Sequence, residues 1–127
     1  MSLKVLYIDD DKFMRVFFES YFEEKLDIKI SESAEDAWQL FQSGYSPDLI
    51  VLDLGLPGQD GKSFLHELKA NLELKDIPVV VLSGNDKSHA RINLLKAGAE
   101  DFIVKPFNPE ELEIKIEKFV RVAEKKP

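Results

Sequence analysis

Short apolar runs alternate with longer segments of helical period five times along the chain, and this alternation restricts its fold more than any other feature. The runs are rich in Val, Ile and Leu, as expected for strands buried in a sheet. Strands that alternate with helices are typical of a parallel sheet covered by helices. We therefore predict an α/β protein built from five βα units.

The element boundaries follow from turn residues and helix-start signals. The predicted strands are Lys4–Ile8, Asp27–Ile30, Leu49–Leu52, Val79–Leu82 and Asp101–Val104. The predicted helices are Lys12–Glu24, Ala34–Gln42, Lys62–Asn71, Lys87–Ala97 and Pro109–Glu124. Two helix starts are clearly marked, because Ser33 and Asp36 form a capping-box pattern and Asn108 precedes a proline and two glutamates.

Length and composition predict one domain over residues 1–127. The chain has 127 residues and a hydrophobic content of 44%, which is sufficient for a packed core. No segment approaches the ~20 apolar residues of a membrane span, and the N-terminus lacks a secretory pattern. We therefore expect a cytoplasmic protein with no membrane contact.

The composition also excludes several kinds of chemistry. The chain has no cysteine and two histidines, so thiolate sites are excluded and any metal must be held mainly by oxygen. The net charge of −7 argues against direct binding of nucleic acid.

Polar residues follow four of the predicted strands. Asp9 and Asp10 follow the first strand, Asp53 follows the third, Ser83 the fourth and Lys105 the fifth. Ligands of open α/β sheets bind outside the carboxyl ends of the strands, where the strand order reverses. We therefore expect three carboxylates, a hydroxyl and an amine to converge on one edge.

Three clustered carboxylates repel one another unless a cation neutralises them. An oxygen-only site with one or two carboxylates is typical of Mg²⁺. The alternative interpretation is that Asp9, Asp10 and Asp11 only cap the first helix. Capping is the favoured interpretation for Asp11, but it does not explain why Asp53 arrives from another strand.

Asp53 is the candidate nucleophile, since a carboxylate can attack a phosphoryl group and form an acyl phosphate. A glycine-rich loop follows it and allows backbone to approach a ligand closely. Lys105 could neutralise phosphoryl charge and Ser83 could donate a hydrogen bond. The alternatives are a turn aspartate, a solvated lysine and a helix-capping serine.

Four segments resemble the receiver domains of two-component response regulators. They are Tyr7–Asp11, Asp48–Gly61, Val79–Gly84 and Ala97–Phe107. The resemblance covers essentially the whole chain and implies a flavodoxin-like, doubly wound (βα)5 fold. Its five-stranded parallel sheet would have the order 2-1-3-4-5, with helices on both faces.

The resemblance also implies roles for the acidic residues. Asp10, Asp53 and the backbone carbonyl of Gly55 would bind Mg²⁺, and Asp9 would act through water. Asp53 would accept a phosphoryl group from the phosphohistidine of a sensor histidine kinase or histidine phosphotransferase.

A conformational switch is implied as well. Lys105 and Ser83 would contact the phosphoryl group, Ser83 would move inward and Phe102 would change rotamer. The face formed by the fourth helix, fifth strand and fifth helix would then signal to a downstream effector domain or protein, with homodimerisation left open. The family's Lys-Pro peptide is typically cis, which would apply to Lys105–Pro106. The domain would modify itself and turn over no external substrate.

Two residues depart from the family's usual pattern. Gly55 stands where a larger side chain is common, which predicts a short-lived acyl phosphate. Phe102 has no hydroxyl, so its switch would work by packing alone.

The first helix carries an apolar arc wider than one sheet contact requires. Part of it is a candidate docking surface for a kinase or phosphotransferase, whereas Trp38 is assigned to the core. The arc consists of Phe13, Met14, Val16, Phe17, Phe18, Tyr21 and Phe22.

Three other functions are compatible with this fold class. An aspartyl-nucleophile phosphatase needs a second acid two residues after the nucleophile, where this chain has Gly55. A flavodoxin-like mononucleotide binder needs a phosphate loop after strand one, where this chain has three aspartates. The remaining alternative is a pseudo-receiver that serves as an interaction module without phosphorylation.

Overall fold

The structure is a computed structural model that describes residues 3–55, 61–84 and 88–125. Its strands are β1 (Lys4–Ile8), β2 (Asp27–Ser31), β3 (Leu49–Asp53), β4 (Val79–Ser83) and β5 (Asp101–Val104). Its helices are α1 (Lys12–Phe22), α2 (Ala34–Gln42), α3 (Gly61–Ala70), α4 (Ser88–Lys96) and α5 (Pro109–Lys125). The predicted alternation of five strands and five helices is confirmed.

The five strands form one parallel sheet in the order β2-β1-β3-β4-β5. This is the predicted order. Because β1 lies between β2 and β3, the chain reverses its direction of travel across the sheet there, and the edge above β1 and β3 becomes the expected ligand site.

Alternate residues of each central strand pack into two separate cores. Leu6 and Ile8 of β1 point to a cluster that includes residues of α2, α3 and α4. Val5 and Tyr7 point to a second cluster with residues of α1 and α5. Helices therefore cover both faces of the sheet, and the period-two geometry of a strand divides the side chains between them.

Local capping fixes the start of α1, α2 and α5. The Asp11 carboxylate accepts hydrogen bonds from the backbone N–H groups of Phe13 and Met14 at 2.9 and 3.3 Å. Ser33 Oγ accepts one from Asp36 N at 3.1 Å, and the Asn108 side chain accepts one from Glu110 N at 2.9 Å. The predicted caps are confirmed.

The predicted boundaries differ from the observed ones by one or two residues. Strands β2, β3 and β4 each extend one residue further, so Asp53 and Ser83 are the last residues of their strands. Helix α1 ends at Phe22 rather than Glu24, because the N–H groups of both Lys25 and Leu26 donate to the Phe22 carbonyl in a tight turn. The predicted start of α4, Lys87, lies outside the described residues.

Helix α1 buries only part of its apolar arc. Phe18 and Phe22 are 2% and 1% exposed, whereas Phe13 and Val16 are 76% and 55% exposed. Trp38 of α2 packs on the core, with its ring centroid 5.3 Å from that of Phe64, as predicted. None of the described helices has the length and apolar character needed to cross a membrane.

Candidate functional site

The carboxyl ends of β1 and β3 bring three acidic side chains together. Asp9 and Asp10 directly follow β1, and Asp53 ends β3. One carboxylate oxygen from each of the three lies within 4.8 Å of the others. The predicted convergence of these residues is confirmed in this geometric sense.

One carboxylate oxygen of Asp53 has two contacts, one with a lysine and one with a backbone N–H. Its side chain is nearly buried, and its Oδ1 lies 2.9 Å from Lys105 Nζ. The backbone N–H of Gly55 donates to the same oxygen at 3.1 Å. These contacts fix the orientation of the carboxylate and place a cation beside it.

Gly61 positions the chain on the far side of the loop that follows Asp53. Its N–H donates to the Leu54 carbonyl at 3.2 Å, and a Cβ at this position would lie 2.5 Å from the Leu54 Cα. A side chain at residue 61 would therefore separate α3 from the end of β3. Residues 56–60, between these two points, lie outside the described part of the chain.

Asp9 is completely buried, and each of its two oxygens accepts a hydrogen bond. Tyr7 Oη donates to Oδ2 at 2.6 Å, and the backbone N–H of Asp11 donates to Oδ1 at 2.9 Å. Burial raises the pKa of Asp9 from 3.8 to about 6; the two hydrogen bonds oppose this rise, and the neighbouring Asp53 adds to it. The buried negative charge of Asp9 therefore raises the free energy of the folded state, and a cation in the site would reduce this penalty.

The remaining members of the acidic run differ in exposure and role. Asp10 is exposed at the rim, and Asp11 caps α1 as predicted. Arg15 reaches back from α1, donating from Nη1 to the Asp9 carbonyl at 2.9 Å and placing Nη2 3.5 Å from Glu32. It thereby joins the loops that follow β1 and β2.

Ser83 and Lys105 lie side by side on the other half of the edge. Ser83 is 7% exposed at the end of β4, and its carbonyl accepts a hydrogen bond from Lys105 N at 2.7 Å. The Lys105–Pro106 peptide is cis, as the resemblance implied. Phe102 is buried, and the guanidinium carbon of Arg91 lies 5.5 Å from the centroid of its ring.

Sequence reasoning did not identify Tyr7 or Arg15 as part of this region. The signal for Tyr7 was its position two residues before Asp9, which places both side chains on one face of the strand. The signal for Arg15 was its position one turn into α1, close to the cap. The role of the Gly55 carbonyl stays a prediction.

The ligand atoms that the clustered side chains offer are carboxylate oxygens, and the cluster contains no thiol or imidazole. Two of the three acids are buried, and Lys105 contacts Asp53. A hard divalent cation fits this donor set, and Mg²⁺ fits a site with few protein ligands and retained waters.

The protein is a doubly wound α/β module that carries acids, a serine and a lysine at the carboxyl edge of its sheet. The profile of the response regulator receiver domain matches residues 5–117. The chain therefore belongs to the receiver-domain family of two-component response regulators.

Individual relatives agree with this assignment. A probable transcriptional regulator, ycf27, of Porphyridium aerugineum is 35% identical over 96% of this chain and 50% of its own length. The transcriptional regulatory protein AruR of Pseudomonas aeruginosa is 32% identical over 95% of this chain and 50% of its own length. The chain thus spans about half the length of these curated relatives.

A solved structure agrees as well. The receiver domain of the Francisella response regulator 1452 is 33% identical to this chain, with a TM-score of 0.87. The match covers 95% of this chain and 98% of the other.

Proposed function

We propose that the protein is a Mg²⁺-dependent phosphorylation switch in which Asp53 is the phosphoacceptor. The observation that carries this proposal is the position of the Asp53 carboxylate, which lies within 4.8 Å of two further carboxylates and 2.9 Å from Lys105 Nζ. Phosphoryl transfer requires positioning and neutralisation of charge, and these groups supply both.

In the proposed reaction an Asp53 oxygen attacks the phosphorus atom of a phosphohistidine. A P–O bond forms, the P–N bond breaks, and the imidazole leaves with the electron pair of that bond. The product is an acyl phosphate on Asp53. Hydrolysis then returns the carboxylate and inorganic phosphate, so the protein turns over no external substrate.

Asp10, Asp53 and the backbone carbonyl of Gly55 would bind Mg²⁺ directly. Asp9 would act on the ion through water. When bound, Mg²⁺ supplies charge neutralisation for the phosphoryl oxygens. Asp9 contributes negative charge from a fixed position, because Tyr7 and the Asp11 N–H hold both of its oxygens.

Lys105 has a second role in this proposal. Its Nζ is bonded to Asp53 Oδ1 before transfer, and it can follow the negative charge to a phosphoryl oxygen afterwards. Ser83 would donate to another phosphoryl oxygen, and its movement would be transmitted to Phe102 and to the face of α4, β5 and α5. Phosphorylation then shifts the population between two arrangements of that face.

The proposed phosphodonor is a sensor histidine kinase or a histidine phosphotransferase in the cytoplasm, as the family implies. The proposed recipient of the signal is an effector domain or protein, since two of the relatives are described as transcriptional regulators twice as long as this chain. The negative charge of the chain assigns any contact with nucleic acid to that effector. Homodimerisation of the phosphorylated form is a compatible output.

The test is intact-mass spectrometry after incubation with acetyl phosphate, with and without Mg²⁺. The wild-type chain should gain the mass of one phosphoryl group only with Mg²⁺, and Asp53→Asn should gain none. Asp48→Asn is the matched control, because Asp48 lies at the opposite end of β3 and contacts Lys4 N rather than the site. If the wild type is never modified, the pseudo-receiver becomes the better assignment.

A further inference from the structure

We infer that Tyr7 makes the acidic site selective for Mg²⁺ over Ca²⁺, by holding the Asp9 carboxylate in one orientation. The inference rests on the proposed Mg²⁺ site and assigns a specificity-determining role to a residue outside the set of ligands.

Tyr7 cannot easily move its hydroxyl. Its side chain is fully buried on the β1 face that packs against α1 and α5. The ring stacks on Phe18, with centroids 4.2 Å apart and an interplanar angle of 8°. Phe18 is itself 2% exposed, so close packing holds both rings in place.

The hydroxyl and one backbone N–H engage the two oxygens of Asp9 separately. Tyr7 Oη lies 2.6 Å from Oδ2, and Asp11 N lies 2.9 Å from Oδ1. Rotation of the carboxylate would lengthen at least one of these bonds inside a fully buried site. An unsatisfied buried donor is costly, so the packed tyrosine resists that rotation.

A fixed carboxylate favours the smaller ion. Mg²⁺ requires near-octahedral geometry and keeps several waters, so it tolerates an acid that acts through water. Ca²⁺ takes six to eight oxygen ligands and often draws carboxylates into bidentate contact. An Asp9 that cannot reorient withholds such a contact, whereas a released Asp9 could provide it.

The test is isothermal titration calorimetry of the whole chain with MgCl2 and with CaCl2. In Tyr7→Phe the ring and its stacking remain and only the donor is lost. We expect the ratio of the Ca²⁺ Kd to the Mg²⁺ Kd to fall about tenfold, the lower end of the effect of losing a partner of a metal-binding side chain.

Tyr45→Phe is the matched control. Tyr45 Oη is also buried, but it has no hydrogen-bond partner among the described residues. Its loss should leave the ratio of the two Kd values unchanged. An equal fall in both variants would overturn the inference, because the effect would then come from general loosening of the fold.

A double-mutant cycle tests whether the effect passes through Asp9. In an Asp9→Asn background, Tyr7→Phe should change the ratio no further; a second fall of similar size would refute the inference. If the wild-type chain binds Mg²⁺ and Tyr7→Phe leaves the ratio of the two Kd values unchanged, the inference is overturned but the proposed metal site is not. A wild-type chain that binds neither ion overturns the proposed metal site as well.

Discussion

At the scale of single residues, the two buried carboxylates of the site are stabilised in different ways. Asp53 has a cation beside it, since Lys105 Nζ lies 2.9 Å from its Oδ1. Among the described residues, the Asp9 carboxylate accepts hydrogen bonds from Tyr7 and from the backbone of Asp11 and has no ion-pair partner. The two hydrogen bonds offset part of the cost of burying the charged Asp9, and a proton or a divalent cation would offset more of it.

This difference predicts a pH dependence of stability in the absence of divalent ions. Burial raises the pKa of Asp9 in the folded protein to about 6 from an ordinary 3.8. The folded state thus binds the proton more tightly, so this contribution to stability is complete below pH ~4 and is lost as the pH rises through ~6. After allowance for screening, the loss is about 1–2 kcal/mol.

Urea unfolding in EDTA between pH 4 and pH 7 measures this loss. The unfolding free energy of the wild type should fall relative to that of Asp9→Asn, in which the titrating group is absent. The comparison removes the contributions of other groups, such as Glu113, whose pKa is lowered by hydrogen bonds from Lys25 and Tyr21. Parallel pH profiles for the two proteins would contradict the assignment.

Gly55 carries a second prediction at this scale. A Cβ at this position would lie 3.7 Å from Asp53 Oδ1, an ordinary contact distance, so a Cβ is accommodated without a clash with the described residues. Gly55→Asn should cover the acyl phosphate and slow its hydrolysis about tenfold, less than the ~10²–10⁴-fold effect of a positioned acid or base because the asparagine only restricts the access of water. Loss of the phosphoryl mass over time measures the rate, and faster hydrolysis would show the prediction to be wrong.

At the scale of elements, helix α1 separates its structural aromatics from its exposed ones. Phe18 and Phe22 lie in the core, whereas Phe13 projects from the first turn. Substituting Phe18 or Phe22 would therefore test core packing and not docking. If α1 docks a phosphodonor, Phe13 and Val16 are the residues with which to test it.

A pair of substitutions in α1 checks this division. Phe18→Ala removes a buried ring stacked on Tyr7 and should lower the unfolding free energy by about 3–5 kcal/mol. Phe13→Ala removes a ring that is 76% exposed and should change it by less than about 0.5 kcal/mol. Chemical denaturation of both variants measures the two values, and similar losses would mean that the helix faces are wrongly assigned.

At the scale of the whole molecule, the sequence predicted the architecture because each level of its patterning agrees. The apolar runs, the caps at Ser33 and Asn108 and the acids at the strand ends all indicate one doubly wound sheet. The convergence of Asp53 and Lys105 on one edge of the sheet was predicted from the switch-point rule, whereas their direct contact was found only in the structure.

The rest required the structure, because it depends on side-chain directions and tertiary distances. The apolar arc of α1 in the sequence cannot show which of Phe13 and Phe18 is buried, because burial depends on how the helix packs against neighbouring elements. Tyr7 reads as one more core aromatic until its hydroxyl is placed 2.6 Å from Asp9. The end of α1 at Phe22 depends on a turn whose residues have no strong sequence signal.

The electrostatics of the site also set the stability of the whole domain. Three carboxylates that meet within 4.8 Å oppose folding, and a cation that binds only the folded arrangement offsets this. At a Mg²⁺ concentration of 100 times Kd, the unfolding free energy should rise by about 2.7 kcal/mol over its value in EDTA. Urea unfolding with MgCl2, and with NaCl at equal ionic strength, measures the difference.

Because the chain carries a net charge of −7, both salts screen general repulsion between its charges. An equal gain in unfolding free energy in NaCl would therefore assign the effect to screening instead of a metal site. A gain specific to MgCl2 that is lost in Asp53→Asn would place the ion at the carboxyl edge of β3, next to the proposed phosphoacceptor.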